Sequence, residues 1–431
     1  MIGNNNPDLA IRALMIVHDF PSINQPFVLN QVVGLVDRGC DLTIVAKRGM
    51  PPFGDTLQPQ EVESYHLADR VIYLRPQGIP RIWALFLSFL WLFVYAFRHP
   101  FRFGKSIGIA VRTGDYSALQ ILTRVRAISQ LGRIDVIHCQ FGTAANMGLL
   151  LRTVGATPNA RIVTSLRGSD ITSVVRRRPH LYRYLIPEGD YFLPVCDHFK
   201  KLLLEMGVPP EKIEVHYSAI DLDKFPFATE HKRIKGAFRV LAVGRLVEKK
   251  GFEVLLEAIS RLRASGKNVT LTIVGDGPLR ENIHRCTSDL GLIGSVELKN
   301  WLPHTEMVYE MYRHDVFAAP SRTTAAGELE GIPNVVKEAM ASGLPVVCTR
   351  HSGIPDLVKD EETGFLVPEN DPDALAVSLG NVMKQFDLIQ DVRHRARKHI
   401  ENIMSINRLN DRLLAIYQQL AVESRSAQDL A

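Results

Sequence analysis

The length, composition and charge of this chain exclude several classes of protein at the outset. Its 431 residues exceed the roughly 250 to 300 that one hydrophobic core organises, so we expect two domains of similar size. The 46% of hydrophobic and 23% of charged residues are typical of globular proteins and exclude extended disorder. The net charge of +5 favours anionic ligands or an anionic membrane surface, and the sequence contains no nucleic-acid-binding motif.

The cysteines and the N-terminus predict a cytoplasmic protein. The five cysteines form no CxxC pair and no Cys/His metal-binding spacing, which is typical of reduced core thiols. They are Cys40, Cys139, Cys196, Cys286 and Cys348. The first residues, MIGNNNPDLA, lack the charged and apolar segments of a secretory signal, so we expect no export.

The first half of the chain alternates between short strands and longer helices. An apolar run over 11–17 predicts a strand, residues 27–36 have helical periodicity, and residues 41–47 predict a second strand. Further strands are predicted at 136–141, 161–166 and 191–196. This alternation is typical of an open parallel sheet with helices on its faces.

A polar segment at 221–236 interrupts the alternation and predicts a linker to a second domain. Strand patterns then resume at 238–244, 269–275, 316–320 and 345–348. Apolar residues at helical spacing follow the first of these strands, as a crossover helix requires, and the chain from about 374 to 422 is again helical in pattern. We expect domains at 1–225 and 226–400, with 401–431 as a helical segment that can pack back on the first domain.

An apolar stretch at 82–97 is bounded by Arg81 and Arg98 and interrupted by Ser88. A helix of that length spans about 24 Å, less than a bilayer core of about 30 Å, so a transmembrane segment is not expected. Aromatic and basic residues follow it. The segment 82–105 therefore predicts either a peripheral membrane contact or a buried helix of the first domain.

Two loops of the second half have the composition of an anion-binding site. Arg245 and Lys250 lie between a predicted strand and a helix that begins near Gly251, where open parallel sheets bind ligands. Two cations and a helix N-terminus suit a diphosphate, although solvent-exposed surface charge has the same pattern. The turn that begins at Gly275 resembles half of a dinucleotide fingerprint and also fits a plain tight turn.

Two glutamates, Glu330 and Glu338, flank the start of a predicted helix in the second half. Gly331 and Pro333 precede this helix, which begins near Asn334. Eight residues of helix amount to at most about 12 Å, so the two carboxylates would contact opposite ends of an extended ligand, one a sugar and the other a ribose. An acidic residue at a helix N-terminus beside an unrelated surface glutamate has the same spacing.

Five motifs of the second half occur in the order seen in family 4 retaining glycosyltransferases, which this chain therefore resembles. They are GRLVEKKG, VGDGPL, EGIPNVVKEAMASGLPVV, SGIPDLV and TGFLVPENDPDALA. The resemblance covers residues 238–374, and the first half is similar to the acceptor domain of bacterial exopolysaccharide enzymes of the colanic-acid type. The first-half segments are DFPSINQPFVLNQVVGLVDRG, IHCQFG and TSLRGSD. The resemblance implies the GT-B fold, two Rossmann-like α/β domains that face a central cleft.

The resemblance also implies which residues bind the donor and catalyse the reaction. By this likeness Arg245 and Lys250 hold the donor diphosphate. Glu330 contacts the sugar hydroxyls and Glu338 the nucleotide ribose. The full predicted donor-binding set is Arg245, Lys250, Gly275, Glu330, Gly331, Asn334, Val335 and Glu338. We expect Glu330, Arg245 and Lys250 to be catalytic, because fixed cations stabilise the charge that develops on a departing diphosphate.

The first half departs from the family at two positions. Arg167 and Gln140 stand where relatives frequently have histidines, and an arginine cannot act as a base at neutral pH. His138, Arg167 and Asp170 are candidate contacts to the acceptor or the sugar. A salt bridge between Arg167 and Asp170 is the alternative interpretation of that pair.

The resemblance therefore implies a retaining glycosyltransferase, and the fixed cations of the site predict that it needs neither a metal nor a cofactor. A DxD pair, Asp221 and Asp223, lies in the linker and is not expected to bind a metal. The expected partners are a nucleoside-diphosphate sugar and a saccharide or lipid-linked acceptor of exopolysaccharide biosynthesis. A nucleotide-sugar epimerase or phosphorylase of the same fold and a non-catalytic sugar-binding scaffold are the alternatives.

Overall fold

A computed structural model describes the fold and covers residues 10–22, 25–48, 59–74, 90, 93–229, 236–386 and 389–429. The chain divides into two compact units. The first unit comprises Met1–Val195, Lys200–Ala219 and Ile406–Ala431, and the second comprises Cys196–Phe199 and Ile220–Ser405. The last segment of the chain thus belongs to the first unit.

The first unit contains a six-stranded parallel sheet. Its strands are β1 (Arg12–Asp19), β2 (Asp41–Arg48), β3 (Val71–Tyr73), β4 (Val136–Cys139), β5 (Arg161–Leu166) and β6 (Tyr191–Pro194). Their order is β3-β2-β1-β4-β5-β6. In the central strand β1 every residue from Ala13 to Val17 is inaccessible to solvent, because both faces of the sheet are covered. The predicted open parallel sheet is confirmed.

The second unit repeats this architecture. Its strands are β7 (Phe238–Val243), β8 (Val269–Val274), β9 (Val296–Lys299), β10 (Val316–Ala319), β11 (Val346–Thr349) and β12 (Phe365–Val367). They pair in parallel in the order β12-β11-β10-β7-β8-β9, which is the order of the first sheet. Both sheets have the strand order of a Rossmann fold, with a change of direction beside the first strand of each unit.

Helices lie between the strands in the pattern that the sequence predicts. Apart from the helical residues 93–98, the α-helices in the described residues are α1 (Pro26–Asp37), α2 (Pro59–Ser64), α3 (Pro100–Thr113), α4 (Val125–Ser129), α5 (Ala145–Val154), α6 (Ser173–Arg177), α7 (Leu185–Glu188), α8 (Asp197–Glu205), α9 (Phe252–Ala264), α10 (Arg280–Asp289), α11 (His304–Arg313), α12 (Asn334–Ser342), α13 (Ile354–Leu357), α14 (Pro372–Lys384), α15 (Gln390–Ile403) and α16 (Ile406–Asp429). Short 3₁₀ helices lie at Leu67–Arg70, Tyr116–Arg124, Gly142–Ala144, Pro210–Lys212, Leu222–Lys224 and Glu248–Lys250. Helix α9 buries Leu255, Leu256 and Ile259, which confirms the predicted crossover helix.

The C-terminal helix α16 packs within the first unit. Leu413, Ile416, Tyr417 and Leu420 are buried in the same core as the residues of β1 and β4. A helix at the end of the chain therefore completes a core whose other members come from the first half. The four buried residues recur at helical spacing, and the predicted helical pattern of the chain's end is confirmed.

The apolar segment predicted at 82–97 lies largely outside the described residues, which include Leu90 and residues 93–97 of it. Residues 93–98 are helical, and Phe93 and Phe97 are exposed. Among the helices of the described chain, none has the length and apolarity that a membrane span requires. The choice between membrane contact and burial stays a prediction.

The cysteines are unpaired thiols, as the sequence predicts. Cys40, Cys139, Cys196 and Cys348 are buried, and Cys286 is partly exposed. Burial raises the pKa of the Cys139 thiol to about 12, so this group is neutral in the core at physiological pH.

Gly251 allows two loops of the second unit to meet at the point where the strand order reverses. It precedes helix α9 with a φ of 64°, and a Cβ placed on it would lie 2.0 Å from the carbonyl oxygen of Pro320, the residue after β10. Only glycine combines this left-handed backbone with so close an approach. The loop after β7 is thereby held against the end of β10.

We expect Gly251→Ala to lower the free energy of unfolding by about 3 kcal/mol or more, because the added methyl displaces the backbone of Pro320. Gly266→Ala is the matched control, since Gly266 has a φ of 78° and no atom within 4 Å of its Cβ position. The control should cost about 1 kcal/mol from backbone strain alone. Urea unfolding of both variants measures the difference, and equal losses would contradict the packing role of Gly251.

Candidate active site

The candidate site lies at the carboxyl ends of β7 and β10, where the sheet of the second unit reverses its strand order. Ligands bind at this position in open parallel sheets because the loops on either side diverge there. A small cavity is lined by Val243, Lys250, Pro320, Pro333 and Val335. The loops after two neighbouring strands and the start of α12 therefore meet at one place.

Lys250 and Glu330 form a close ion pair in this place. The ammonium Nζ lies 2.8 Å from Glu330 Oε1, and the two side chains are 13% and 18% exposed. Burial acts to raise the pKa of Glu330, but the charges of Lys250 and Lys249 hold it below its ordinary value, so the carboxylate is ionised. Its other oxygen, Oε2, has no hydrogen-bond partner within the described part of the chain. Glu330 is thus fixed by one oxygen and can accept a hydrogen bond with the other.

His351 and Glu369 lie behind Glu330, and sequence reasoning missed both. The Glu330 backbone N–H points at His351 Nε2 over 3.0 Å. The other ring nitrogen, Nδ1, lies 2.7 Å from Glu369 Oε1. Both residues belong to or adjoin quoted family motifs, so a polar residue beside SGIPDLV and an acidic one within TGFLVPENDPDALA were the signals available in the sequence.

Helix α12 begins directly after Pro333, as the sequence predicts, and places Asn334 and Val335 in its first turn. Asn334 Oδ1 accepts a hydrogen bond from the buried Lys337 Nζ at 2.9 Å. Gly331 is buried, and its carbonyl accepts a long hydrogen bond of 3.3 Å from the Gly353 N–H. The predicted residues 331–335 therefore surround one helix N-terminus, whose free N–H groups favour an anion.

Glu338 lies one turn further along α12. Burial raises its pKa to about 7, while the charges of Lys337 and Lys250 oppose that rise. Near neutral pH this carboxyl group is therefore divided between its protonated and ionised forms. A partner that donates hydrogen bonds, such as a diol, favours the ionised form.

Arg245 is exposed to solvent at this edge of the sheet, whereas Gly275 is packed against a neighbouring loop. Arg245 is exposed, and no described residue forms a hydrogen bond or ion pair with its guanidinium. A Cβ on Gly275 would lie 2.0 Å from the Gly244 carbonyl oxygen, and its N–H donates to the Lys299 carbonyl at 3.0 Å. Gly275 thus brings the loops after β7 and β8 together, and its contact with a donor stays a prediction.

In the first unit His138 is enclosed rather than exposed to a ligand. It has no solvent-accessible surface, and its Nδ1 and Nε2 lie 2.6 Å from Tyr417 Oη and 2.8 Å from Ser165 Oγ. Burial, aided by the charges of Arg167 and His216, lowers the pKa of His138 well below its ordinary value, so the ring is neutral. Both ring nitrogens are occupied within the unit.

The two departures from the family, Arg167 and Gln140, contact each other. Arg167 Nη2 donates to Gln140 Oε1 at 2.8 Å and Nη1 to Ser218 Oγ at 2.7 Å. The guanidinium carbon also lies 4.2 Å from the centroid of the Phe27 ring, a cation–π contact. Burial lowers the pKa of Arg167 to about 10, which leaves it cationic at neutral pH.

Asp170 connects two loops of the first unit through backbone hydrogen bonds. Its carboxylate accepts the N–H groups of Gly142, Arg167 and Gly168 over 3.0, 3.0 and 2.8 Å. These bonds hold the loop after β4 against the loop after β5. Within the described residues the carboxylate of Asp170 makes no direct ion pair with Arg167, so the alternative of a salt bridge gives way to backbone contacts.

The DxD pair of the linker stabilises a local turn. Asp221 Oδ1 accepts the Asp223 N–H at 3.2 Å, and the Lys224 Nζ lies 3.5 Å from Asp221 Oδ2. In the part of the chain that the structure describes, no three His, Cys, Asp or Glu side chains are grouped as a metal site. Asp221 therefore acts as the cap of the 3₁₀ helix Leu222–Lys224.

Comparisons with known proteins assign both units. The model "Glycosyl transferase 4-like domain" matches residues 25–218, and "Glycosyl transferases group 1" matches residues 224–399. The colanic acid biosynthesis glycosyltransferase WcaL of Salmonella typhimurium is 33% identical over 93% of this chain and 98% of its own length. This chain belongs to the family 4-type glycosyltransferases. The amylovoran biosynthesis glycosyltransferase AmsK of Erwinia amylovora is 31% identical over the same shares of both chains.

Solved structures confirm the fold of this glycosyltransferase. The Anabaena protein HepE, crystallised with UDP, superposes with a TM-score of 0.70 over 95% of this chain and 100% of its own, at 15% identity. At that identity the likeness establishes the GT-B fold alone. The predicted fold of two Rossmann-like domains and the predicted family are both confirmed.

The raised pKa of Glu338 makes the stability of the unliganded glycosyltransferase depend on pH. The pKa of this carboxyl group rises on folding from 4.5 to about 7, so its protonated form stabilises the fold fully at a pH below 4.5, the pKa in the unfolded state. This contribution is lost as the pH rises through about 7. We expect Glu338→Gln, which does not titrate, to gain up to about 3 kcal/mol of unfolding free energy over the wild type between pH 4.5 and pH 8.

Urea unfolding at both pH values, without nucleotide, measures this difference. Glu281→Gln is the control, because Glu281 is an exposed glutamate on α10 and its replacement should leave the pH dependence unchanged. A difference between Glu338→Gln and the wild type that stays constant with pH would show that Glu338 titrates as an ordinary surface carboxylate.

Proposed function

We propose that this glycosyltransferase moves a sugar from a nucleoside-diphosphate sugar to a saccharide or lipid-linked acceptor in exopolysaccharide biosynthesis, with retention of configuration and without a metal. The observation that carries the proposal is the Glu330 carboxylate, fixed by Lys250 through Oε1 and unpartnered at Oε2 beside the N-terminus of α12. Such an oxygen can accept a hydrogen bond from a sugar hydroxyl next to the site where a helix N-terminus binds phosphate.

The charges of the site suit the departure of a nucleoside diphosphate. Cleavage of the bond between sugar and phosphate places negative charge on the leaving group, and Lys250, Arg245 and the N–H groups of α12 are cationic or donor groups on the same edge of the sheet. Preorganised donors stabilise that charge without the reorganisation that water would need. Because these groups supply positive charge, the proposed reaction requires no metal. Retention follows from attack on the same face as the leaving phosphate, which the family resemblance supports.

Relatives support the proposed donor and pathway. WcaL and AmsK carry names from colanic acid and amylovoran biosynthesis, and both align over nearly all of this chain. HepE has been crystallised with UDP and with UDP-glucose. We infer a nucleotide-sugar donor and an exopolysaccharide precursor as acceptor for this enzyme as well.

A transfer assay tests the function. Purified enzyme is incubated with labelled UDP-, GDP- or ADP-sugars and bacterial lipid extract, with and without EDTA. We expect one donor to label the lipid fraction, EDTA to have no effect, and Glu330→Gln to lower the rate about 100-fold or more, because a hydrogen bond to the reacting sugar is weakened. Glu281→Gln is the control and should retain full rate.

Each other outcome of this assay contradicts the proposal in its own way. Conversion of the free donor sugar without any acceptor would indicate an epimerase, and release of a sugar phosphate would indicate a phosphorylase. Absence of transfer from all donors would favour a non-catalytic scaffold. Inversion at the anomeric carbon of the product, read by NMR, would contradict retention.

Donor binding forms the second arm of the same test. Arg245→Ala should weaken the binding of the preferred nucleoside diphosphate about tenfold or more in calorimetry, because its guanidinium is exposed and makes no ion pair with the described residues, so it can bind the diphosphate. Arg285→Ala, a change at an exposed arginine of α10, is the control and should bind as the wild type does. Equal affinity of both variants would remove Arg245 from the donor site.

We also propose that residues near the start of α3 contact the cytoplasmic face of the membrane. Phe93, Phe97 and Phe101 recur at intervals of four and are 64%, 83% and 92% exposed, and Arg98 and Lys105 are exposed among them. Apolar side chains interleaved with cations suit anionic lipid headgroups. Flotation with liposomes that contain anionic lipid should recover the wild type, and Phe97→Ser/Phe101→Ser should float at least several-fold less. Equal flotation would favour the buried-helix alternative.

A further inference from the structure

The hydrogen bonds around Glu330 form a continuous series across four neighbouring strands of the second sheet. The strands β12, β11, β10 and β7 lie side by side, and the chain that follows each of them supplies one member. The members, in that order, are Glu369, His351, Glu330 and Lys250. Each contacts the next through a bond of 2.7 to 3.0 Å.

We propose that His351, oriented by Glu369, is a positioning residue that fixes the place of the Glu330 carboxylate for sugar transfer. The inference rests on the proposed function, since it assigns Glu330 a contact with the donor sugar. His351 itself touches no substrate in this scheme. It acts on the backbone of Glu330, and the carboxylate is then held from two sides, by His351 through the peptide N–H and by Lys250 through Oε1.

The geometry determines where the ring proton of His351 lies. The Glu330 backbone N–H can only donate, so Nε2 of His351 must accept and carries no proton. The proton of the neutral ring is then on Nδ1, from which it is donated to Glu369 Oε1 over 2.7 Å. A carboxylate behind one ring nitrogen fixes the tautomer and the orientation of the ring in this way.

Glu369 and His351 are themselves firmly placed. The Glu369 carboxylate also accepts the Thr323 N–H at 2.7 Å, which connects the loops after β10 and β12. Burial acts to raise the pKa of Glu369, but the hydrogen bonds from Thr323 and His351 outweigh it and hold the pKa below its ordinary value. The carboxylate therefore stays ionised. The side chain of His351 is 0% exposed, and its own N–H and carbonyl are bonded to Thr349 and Ile354. The ring therefore has no room to turn.

The reversed tautomer would be harmful. With a proton on Nε2, the ring would present a donor to the Glu330 N–H, and two donors that face each other in a buried place repel and remain unsatisfied. The peptide of Glu330 would move, and the carboxylate with it. A displacement of about 1 Å at a reacting group can lower a rate about 100-fold while binding through other contacts persists.

Two replacements of His351 separate positioning from simple packing. The amide of glutamine reaches the position of Nε2, so His351→Gln keeps an acceptor for the Glu330 N–H. The shorter asparagine reaches only the position of Nδ1, so His351→Asn keeps the contact with Glu369 and leaves the Glu330 N–H unpaired. Both replacements remove the imidazole from the same buried place, so a packing role alone predicts similar losses for the two.

The kinetic test measures kcat, KM and nucleoside-diphosphate affinity for these variants in the full chain. We expect kcat to fall about 10- to 100-fold in His351→Asn and less than about fivefold in His351→Gln, with nucleotide affinity within about threefold of wild type in both. Glu369→Gln should resemble His351→Asn, because one amide oxygen cannot accept from both His351 and Thr323. His284→Asn, at an exposed histidine of α10, is the control.

Equal kcat losses in His351→Asn and His351→Gln, or full activity in His351→Asn, would overturn the positioning role. Sugar transfer by the wild type in the same experiment would still support the proposed function. A wild type without transfer would instead refute the proposed function.

A second readout does not depend on activity: ¹⁵N NMR of histidine-labelled protein, assigned by difference with His351→Asn. A protonated Nδ1 and an unprotonated Nε2 are expected for His351. A proton on Nε2 would overturn the inference whatever the kinetics.

Discussion

The ion pair between Lys250 and Glu330 is the contact on which the candidate site depends. Its members are 80 residues apart in the chain and meet because β7 and β10 are neighbours at the point where the sheet reverses its order. Both side chains are mostly buried, and two charges removed from water are tolerated only when each compensates the other. Three features restrict the loops that hold this pair. They are the close approach at Gly251, the hydrogen bond between Glu330 and His351, and the start of α12. The loops therefore have little freedom to vary independently.

The pairing also determines which charges remain for a ligand. Lys249 is bonded to Glu328 at 2.9 Å in the same way that Lys250 is bonded to Glu330. Four charged side chains in two pairs thus contribute no net charge, whereas Arg245 forms no ion pair with any residue that the structure describes. In the proposed reaction Lys250 divides its charge between Glu330 and the diphosphate. The same cation then contacts the leaving group and fixes the carboxylate that accepts a hydrogen bond from the sugar, which links donor binding to the placement of the sugar.

The sequence predicts much of this molecule because strands of parallel sheets are continuous apolar runs. The pattern located β1 and β7 within one or two residues, and it located helix α9 by its buried stripe. It missed β3, β9 and β12, which have three or four residues: β9 alternates apolar and charged residues, and the apolar runs of β3 and β12 are too short to indicate a strand by themselves. Short edge strands are recognised by their neighbours in the sheet rather than by their own composition.

The site was predictable where the family motif names a residue and unpredictable where the contact is tertiary. Glu330 and Lys250 belong to quoted motifs, but nothing in either motif shows that the two form an ion pair. The position of His351 beside SGIPDLV was a signal in the sequence, but it does not reveal the role of the residue, which depends on a backbone N–H 21 residues earlier in the chain. The donor contact of Gly275 stays a prediction, whereas the structure shows its role in packing, because a Cβ there would lie 2.0 Å from the Gly244 carbonyl oxygen. Local patterns report propensity and burial, whereas hydrogen-bond partners across strands depend on the assembled sheet.

The two departures from the family in the first unit lie in direct contact with each other. Arg167 and Gln140 stand where the family resemblance places histidines, and Arg167 Nη2 donates to Gln140 Oε1, so the two changes are in direct contact. In the described residues Arg167 Nε has no hydrogen-bond partner. Beside them His138 depends on Tyr417, 279 residues later in the chain. An unpartnered polar group in that core would cost about 1 to 3 kcal/mol, so helix α16 satisfies the interior of the unit as well as covering it. The end of the chain is therefore part of the structure that surrounds β4, and Gln140 adjoins the same network, since its Nε2 lies 3.5 Å from His138 Nδ1.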